Sequence, residues 1–229
     1  YPFLREAGLD PKADSYPNWE NTGLDGHIGG HYLSALSLMY ASTGNKEVKS
    51  RLDYMLSELK RCQDANEEGY IGGVPGSLEL WNTIKAGKID ASGFSLNGRW
   101  VPLYNIHKTY AGLLDAYRYA ESELAKNMLL EYTDWMISLT QSLNQKQIQT
   151  LLISEHGGLN EVFAELAEIS GSETLLHLTR GSAKIITSIE EVMNFNIHDK
   201  VKIDFDINKF YAFEESGILA SSPFGGSYV

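Results

Sequence analysis

A single cysteine, Cys62, stands among 229 residues. One thiol excludes a disulfide within the chain and any site that takes two thiolates from one chain. Cations are scarce as well: 19 Lys and Arg against 30 Asp and Glu give a net charge of −11, with no basic cluster beyond short scattered pairs. Nucleic-acid backbone and anionic membrane are therefore poor partners, and a neutral or cationic ligand fits better. No apolar run approaches the roughly 20 residues that span a bilayer. The opening YPFLREAGLDPK has neither the basic start nor the apolar stretch of a signal peptide, and it reads like the interior of a protein rather than a natural start. Common nucleophile and phosphate signatures are missing too: there is no G-x-S-x-G, no GxxxxGK followed by Ser or Thr, and no GxGxxG after a strand. IGGVPGS has glycines without the helix opening that a phosphate cradle needs. Cys62, in ELKRCQ at the end of an amphipathic pattern, is expected to be structural rather than reactive.

What is present is helical periodicity, repeated. Residues 23–47 (GLDGHIGGHYLSALSLMYASTGNKE), 101–125 (VPLYNIHKTYAGLLDAYRYAESELA) and 150–174 (TLLISEHGGLNEVFAELAEISGSET) each run from a polar, His-containing lead into an amphipathic helix and a polar turn. Without gaps, Ala35, Leu113 and Val162 coincide, as do Leu36, Leu114 and Phe163, and Met39, Tyr117 and Leu166. These are the i, i+1 and i+4 positions of one helix face. Gly44 and Gly171 coincide at the turn, where a helix end favours a residue tolerant of positive φ. A second helical pattern follows each turn, over Lys46–Gln63, Glu121–Gln141 and Ser172–Met193. The spacing predicts an αα-hairpin of roughly 50 residues used three times; the simpler alternative is three unrelated helix pairs.

Residues 64–100, rich in Gly and Ser and carrying Tyr70, Trp81 and Trp100, read as a long functional loop inserted between the first two hairpins. Near the end the character changes, since Val201, Ile203, Phe205 and Ile207 alternate with polar residues in a strand pattern. The expected fold is thus mainly α, with αα-hairpin repeats over residues 1–195 and a short strand and loop tail over 196–229.

The pair His27 and His31 in GHIGGH has the i, i+4 spacing of HExxH zinc sites, but the glutamate is absent and two glycines weaken the helix between them by about 1 kcal/mol each. A metal role is the lesser reading, and a histidine that caps or packs at a helix start is the plain one. Register adds more. His107 and His156 occupy equivalent positions just before their apolar faces, so hairpins ranged around an axis bring the three leads together at one end. That end collects Asp25, His27, His31, Asn105, His107, Glu155, His156, Asn160 and Glu161, with Trp100 and Tyr104 nearby. Carboxylates, imidazoles, amides and aromatic faces are what a carbohydrate pocket needs. Taken singly, Glu155 and Glu161 are helix-start acids suited to the macrodipole before they are catalysts.

The ordered stretches FLREAGLDPKADSYPNWE, GLDGHIGGHYLSALSLMYASTG, ELKRCQ, GYIGGVPG, WVPLYNIHKTYAGLLDAYRYA and LLISEHGGLNEVFAELAEISG together resemble the β-L-arabinofuranosidase-type glycoside hydrolases, families 127 and 146, over roughly residues 2–180. That resemblance implies an (α/α)6 toroid followed by β-sandwich domains, and a retaining glycosidase acting on arabinose-containing plant glycans outside the cytoplasm. It also implies a cysteine nucleophile held by zinc with two further cysteines and a glutamate, and a second glutamate as acid/base, all downstream of the matched stretch. With Cys62 in the helix-end motif, this chain lacks that constellation, and no cofactor is expected in it. What carries over is the lining of the substrate pocket: His107 in YNIHK and His156 in EHGG, with the segments that hold His27, His31, Trp100, Tyr104 and Asn105. Glu155 and Glu161 remain the acid/base candidates within the chain. Three hairpins leave an apolar edge open, so the chain is expected to be a piece of a longer product or to be covered by self-association. The expected partner is an oligosaccharide, to be hydrolysed or only bound by a helical module. A lyase or unsaturated-uronide hydrolase using Glu155, Glu161 or Asp25 needs arginines for an anionic substrate, and the leads supply almost none.

Overall fold

The computed structural model describes residues 1–66 and 68–170, together with the backbone of four strands beyond them. Among the described residues eight α-helices run in order: α1 (Pro2–Glu6), α2 (His27–Thr43), α3 (Lys46–Ala65), α4 (Ser77–Lys85), α5 (Pro102–Ala120), α6 (Glu123–Thr140), α7 (Gln145–Leu151) and α8 (Gly157–Ser170). Local chemistry sets their ends. Gly44 closes α2 in the left-handed region at φ 63°, and Asn45 then caps α3 by accepting from the N–H groups of Glu47 at 2.8 Å and Val48 at 3.4 Å. Ser122 caps α6 through the Ala125 N–H at 3.3 Å. Asn144 and Gln147 form a reciprocal capping box at the start of α7.

The first two hairpins, α2–α3 and α5–α6, are as the periodicity predicts, and α2, α5 and α8 lie side by side in chain order, with α3 packed on α6. Burial follows the shared register in α5 and α8, where Leu113, Leu114, Val162 and Leu166 are buried. In α2 it does not. Ala35 and Met39 are exposed, and the buried stripe is Gly30, Leu33 and Ser37 with Leu36 beside it. The cause is a backbone contact with α5: a Cβ on Gly30 would collide with the Lys108 carbonyl, and one on Gly112 would fall 2.5 Å from the Gly30 oxygen and 2.8 Å from Leu33 Cβ. With no side chain at either glycine the two helices touch backbone to backbone, which turns α2 onto its glycine stripe. Beneath them, Tyr110 stacks on Tyr132 with ring centroids 4.3 Å apart and donates its hydroxyl to the Tyr132 carbonyl at 2.8 Å. Trp135 and Tyr70 extend the aromatic core.

Two expectations are corrected. Residues 64–100 are not a structureless loop: Leu80, Trp81 and Ile84 form the buried face of α4, and Tyr70 and Trp81 are core residues at 1% and 3% exposure. Three two-residue strands, β1 (Ala91–Ser92), β2 (Ser95–Leu96) and β3 (Arg99–Trp100), form an antiparallel sheet. Its second turn is Asn97-Gly98, both at positive φ, the pair that a two-residue hairpin of this kind favours. The third hairpin also fails, because Ser172–Met193 is not a helix. It holds β4 (Thr174–Arg180) and β5 (Ala183–Ile189), paired antiparallel in register from Thr174 with Ile189 to Arg180 with Ala183. Thr174, Thr179, Ile185, Ile186, Thr187 and Ile189 are β-branched, and such residues favour a pleated strand over a helix. The chain divides into units Tyr1–Val192 and Met193–Val229. The second contributes the antiparallel pair β6 (Ala212–Phe213) and β7 (Leu219–Ser221). The strand expected over 201–207 and the turn glycine Gly171 lie outside the described residues. A closed ring of hairpins is not seen in the row α2, α5, α8.

The Gly30 contact predicts that Gly30→Ala, although it raises helix propensity, destabilises the protein by about 2 kcal/mol or more by forcing α2 off α5. Gly157→Ala, whose Cβ meets nothing within 4 Å, changes stability by less than about 0.5 kcal/mol. Urea unfolding of both variants checks the contrast.

Candidate functional site

The N-terminus of α2 has an unusual cap. Gly26 takes the left-handed region at φ 100° and has no side chain to offer. The cap comes instead from Glu20, in the short 3-10 turn Asn18–Asn21, whose carboxylate accepts from the N–H groups of Gly26 at 2.9 Å and Ile28 at 3.0 Å. His27, the first residue of the helix, places Nδ1 2.7 Å from Glu20 Oε1 and 2.8 Å from the Leu24 carbonyl oxygen. Glu20 and His27 are both buried. Asp25 is buried too, accepting from Arg5 Nη2 at 3.2 Å and from the Gly23 N–H at 3.1 Å.

One turn along α2, His31 is exposed. Its ring meets that of His27 edge-on with centroids 6.0 Å apart, and its Nε2 lies 3.5 Å from the Tyr104 hydroxyl of α5. Tyr104 is also 6.3 Å from His27, ring to ring, and Lys108 Nζ sits 4.8 Å over the Tyr104 ring. The segment that delivers Tyr104 is strained at its root: Val101, just before Pro102, holds φ 38° and ψ 53°, a conformation that costs a β-branched residue about 1–3 kcal/mol. His107 is half-buried on the next face of α5 and lies against α8, where a Cβ on Gly158 would fall 2.6 Å from both ring nitrogens. Gly158 is thus the space that admits the imidazole.

The structure therefore brings His27, His31, Tyr104 and His107 to the end where α2, α5 and α8 begin. Other expected members are placed differently. Asn105 is buried and donates both Nδ2 protons to backbone, to the Leu24 oxygen at 3.1 Å and the Asp25 oxygen at 2.8 Å. It ties the α5 lead to the α2 lead, and its amide has no free donor to give a ligand. Asp25 likewise is spent on Arg5 and Gly23. His156 turns Nδ1 back to the Ser154 carbonyl, 3.0 Å away. Trp100 is 40% exposed at the end of β3, beside Gly23 but in ring contact with none of the histidines among the described residues. Glu155 and Glu161 are exposed at the head of α8. Glu155 acts electrostatically on Tyr104 and Glu161 on His107. Asn160 is exposed one residue before Glu161.

Three contributors escaped the sequence reading. Trp19 is 63% exposed with its ring 6.2 Å from His27, Glu20 holds the cap, and Lys108 supplies the cation. The string NWE ahead of GLDGH was the available signal, an aromatic and an acid just upstream of a helix whose own cap is glycine.

Desolvation chiefly, partial at the exposed His31 and greater at the half-buried His107, then the Lys108 charge and the neighbouring histidine, hold both below the ordinary value of 6.5, with Glu161 opposing at His107. Tyr104 is pushed up by burial and by Glu155. Neutral imidazoles beside a lysine and a phenol offer donors and acceptors together, which suits hydroxyl groups. Metal ligation fits poorly. Among the described residues no three His, Cys, Asp or Glu side chains are grouped to hold an ion, and Cys62 is buried in α3 with its thiol pushed up to about 11 by burial. The zinc-thiolate centre that the resemblance implies has no donor set here.

The fold and site define a helical-hairpin protein with a polar, aromatic-edged site at one end of a helix row. The sequence model of the β-L-arabinofuranosidase GH127 catalytic domain matches residues 1–187, and the chain belongs to that family. No curated protein matches it. It is thus glycoside hydrolase-like, and among the described residues no helix is long and apolar enough to cross a membrane.

Two predictions follow from these titrations. Because His31 and His107 titrate lower in the native state, the folded chain binds fewer protons than the unfolded one just below 6.5. Their contribution is complete above that value and is lost as pH falls through the native pKa values. The melting temperature should drop on acidification below 6.5, and drop less in the His31→Gln/His107→Gln variant. Cys62 should resist a thiol reagent in the native protein and react at once in denaturant.

Proposed function

We propose that this chain recognises an arabinofuranose-containing oligosaccharide of plant origin at the head of α2, α5 and α8, as the helical part of a glycoside hydrolase. The observation that carries the reading is the convergence of His27, His31, Tyr104 and His107, edged by Trp19 and Lys108, within a chain of this family. A furanose presents hydroxyls on most of its carbons and a small apolar face. Neutral imidazole nitrogens and the Tyr104 hydroxyl pair with the hydroxyls, Lys108 donates, and Trp19 or Trp100 offers a stacking surface. In this reading α2, α5 and α8 are part of the inner wall of an (α/α)6 toroid, and a glycan substrate places the protein outside the cytoplasm.

Hydrolysis with retention needs one group to attack the anomeric carbon and another to protonate the leaving oxygen. Glu155 and Glu161 are the carboxylates at the site's edge that suit the proton-transfer role. No thiolate is available for attack, since Cys62 is buried in the core. That favours a second reading, a carbohydrate-binding helical module without turnover. Calorimetry with arabinofuranosyl oligosaccharides, run beside a turnover assay, decides between them. Binding is expected, weakened about tenfold or more in His107→Ala and His31→Ala. Turnover that a chelator abolishes overturns the assignment of recognition without metal-thiolate chemistry, and absence of binding overturns the glycan reading.

A further inference from the structure

We propose that Glu20 is a positioning residue for His27, locking its imidazole with the proton on Nδ1 so that Nε2 meets a ligand hydroxyl as a hydrogen-bond acceptor. The inference rests on the glycan reading for the ligand, but its structural half stands apart from it. Nδ1 of His27 faces two oxygens, Glu20 Oε1 at 2.7 Å and the Leu24 carbonyl at 2.8 Å. A carboxylate and a carbonyl only accept, so the nitrogen between them carries the hydrogen. In the neutral ring Nε2 is then the lone-pair nitrogen, and no described residue bonds it. The ring lies among Trp19, His31 and Tyr104, the groups that edge the site.

Glu20 cannot turn away without cost, because the same carboxylate caps α2 through Gly26 and Ile28. With Gly26 as a capless N-cap, orientation of the imidazole and closure of the helix are one event. The site then divides its labour. Lys108 and the Tyr104 hydroxyl donate, and His27 accepts, so the ligand group opposite His27 must carry a hydrogen: a sugar hydroxyl fits and an ether oxygen or a carboxylate does not.

Long-range proton–nitrogen correlation spectra of the full chain with labelled histidine, recorded at mildly alkaline pH, test the lock without any variant or ligand. His27 is expected as a single Nδ1–H tautomer, and a predominant Nε2–H tautomer overturns the proposal. Glu20→Gln offers one acceptor oxygen to three donors, so the His27 signals should shift toward a mixture of tautomers and affinity for an arabinofuranosyl oligosaccharide should fall about tenfold. His27→Ala keeps Glu20 on the helix end and should lose a similar factor. Combining the two should cost no more than His27→Ala alone. If Glu20→Gln weakens binding by the same factor with and without His27, Glu20 acts only as a cap and the positioning role is wrong. If the wild-type chain binds no such oligosaccharide, the glycan reading fails, while the spectra still decide the tautomer.

Discussion

Everything that places the site depends on α2 and α5 meeting without side chains between them. Gly30 and Gly112 let backbone approach backbone, and an approach that close fixes translation as well as distance, since a carbonyl and a Cα leave little room to slide. In the register of the hairpin repeat Gly30 stands opposite Lys108, and the contact occurs at that pairing. The leads are consequently level. Asn105 reaches the Leu24 and Asp25 carbonyls, and His31 arrives beside Tyr104. A slip of one turn would separate each of these pairs by about 5 Å.

The lead itself is held by buried carboxylates rather than by regular structure. Glu20 closes α2, Asp25 ties Gly23 to Arg5, and Arg5 also donates to the Gly73 carbonyl at 3.3 Å. Glu6 accepts from the Gly76 N–H at 2.8 Å at the start of α4. Buried acids are costly unless every oxygen finds a donor. Here the donors are mostly backbone N–H groups, which need no side-chain ordering of their own. The result is a candidate site whose floor is largely spent on structure, while His31, Tyr104, His107, Lys108 and the Nε2 of His27 are the groups that the proposed glycan would meet. A binding surface organised in this way has little entropy left to lose on complex formation.

The first two hairpins were legible because their helices bury one face, and a 3.6-residue period survives in the sequence whenever that is so. Legibility failed where contact replaced periodicity. In α2 the buried stripe runs through Gly30, which no hydrophobicity pattern marks, so Ala35 and Met39 were placed inside although they face out. Over residues 64–100 a high glycine content suggested a loop, yet Leu80, Trp81 and Ile84 already had helical spacing and LNGR had the two-residue turn. In TLLHLTR and AKIITSI the apolar positions fit a helix face as well as a strand, and β-branching decided for the strand. Register put His107 near the level of His31, since equivalent positions in neighbouring parallel helices share a level, whereas His156, at the same register position, turns Nδ1 to the Ser154 carbonyl. It also drew in Asn105 and Asp25, because a residue at the right level can point into the fold as readily as out of it.

In the proposed reading, recognition and bond-breaking are separable for a physical reason. Hydroxyl recognition needs neutral groups of mixed donor and acceptor character at moderate exposure, and burial with the nearby Lys108 charge holds His31 and His107 in that form. Nucleophilic attack by sulfur needs a thiolate, which calls for a metal, a cation or a helix N-terminus beside the sulfur. At Cys62, burial on α3 outweighs the nearby N-terminal ammonium and Arg61 and pushes the thiol up to about 11, so its proton stays on. In the proposed reading, the groups that would meet the sugar hydroxyls lie among the described residues, and Cys62, with its proton held on by burial, is no part of them.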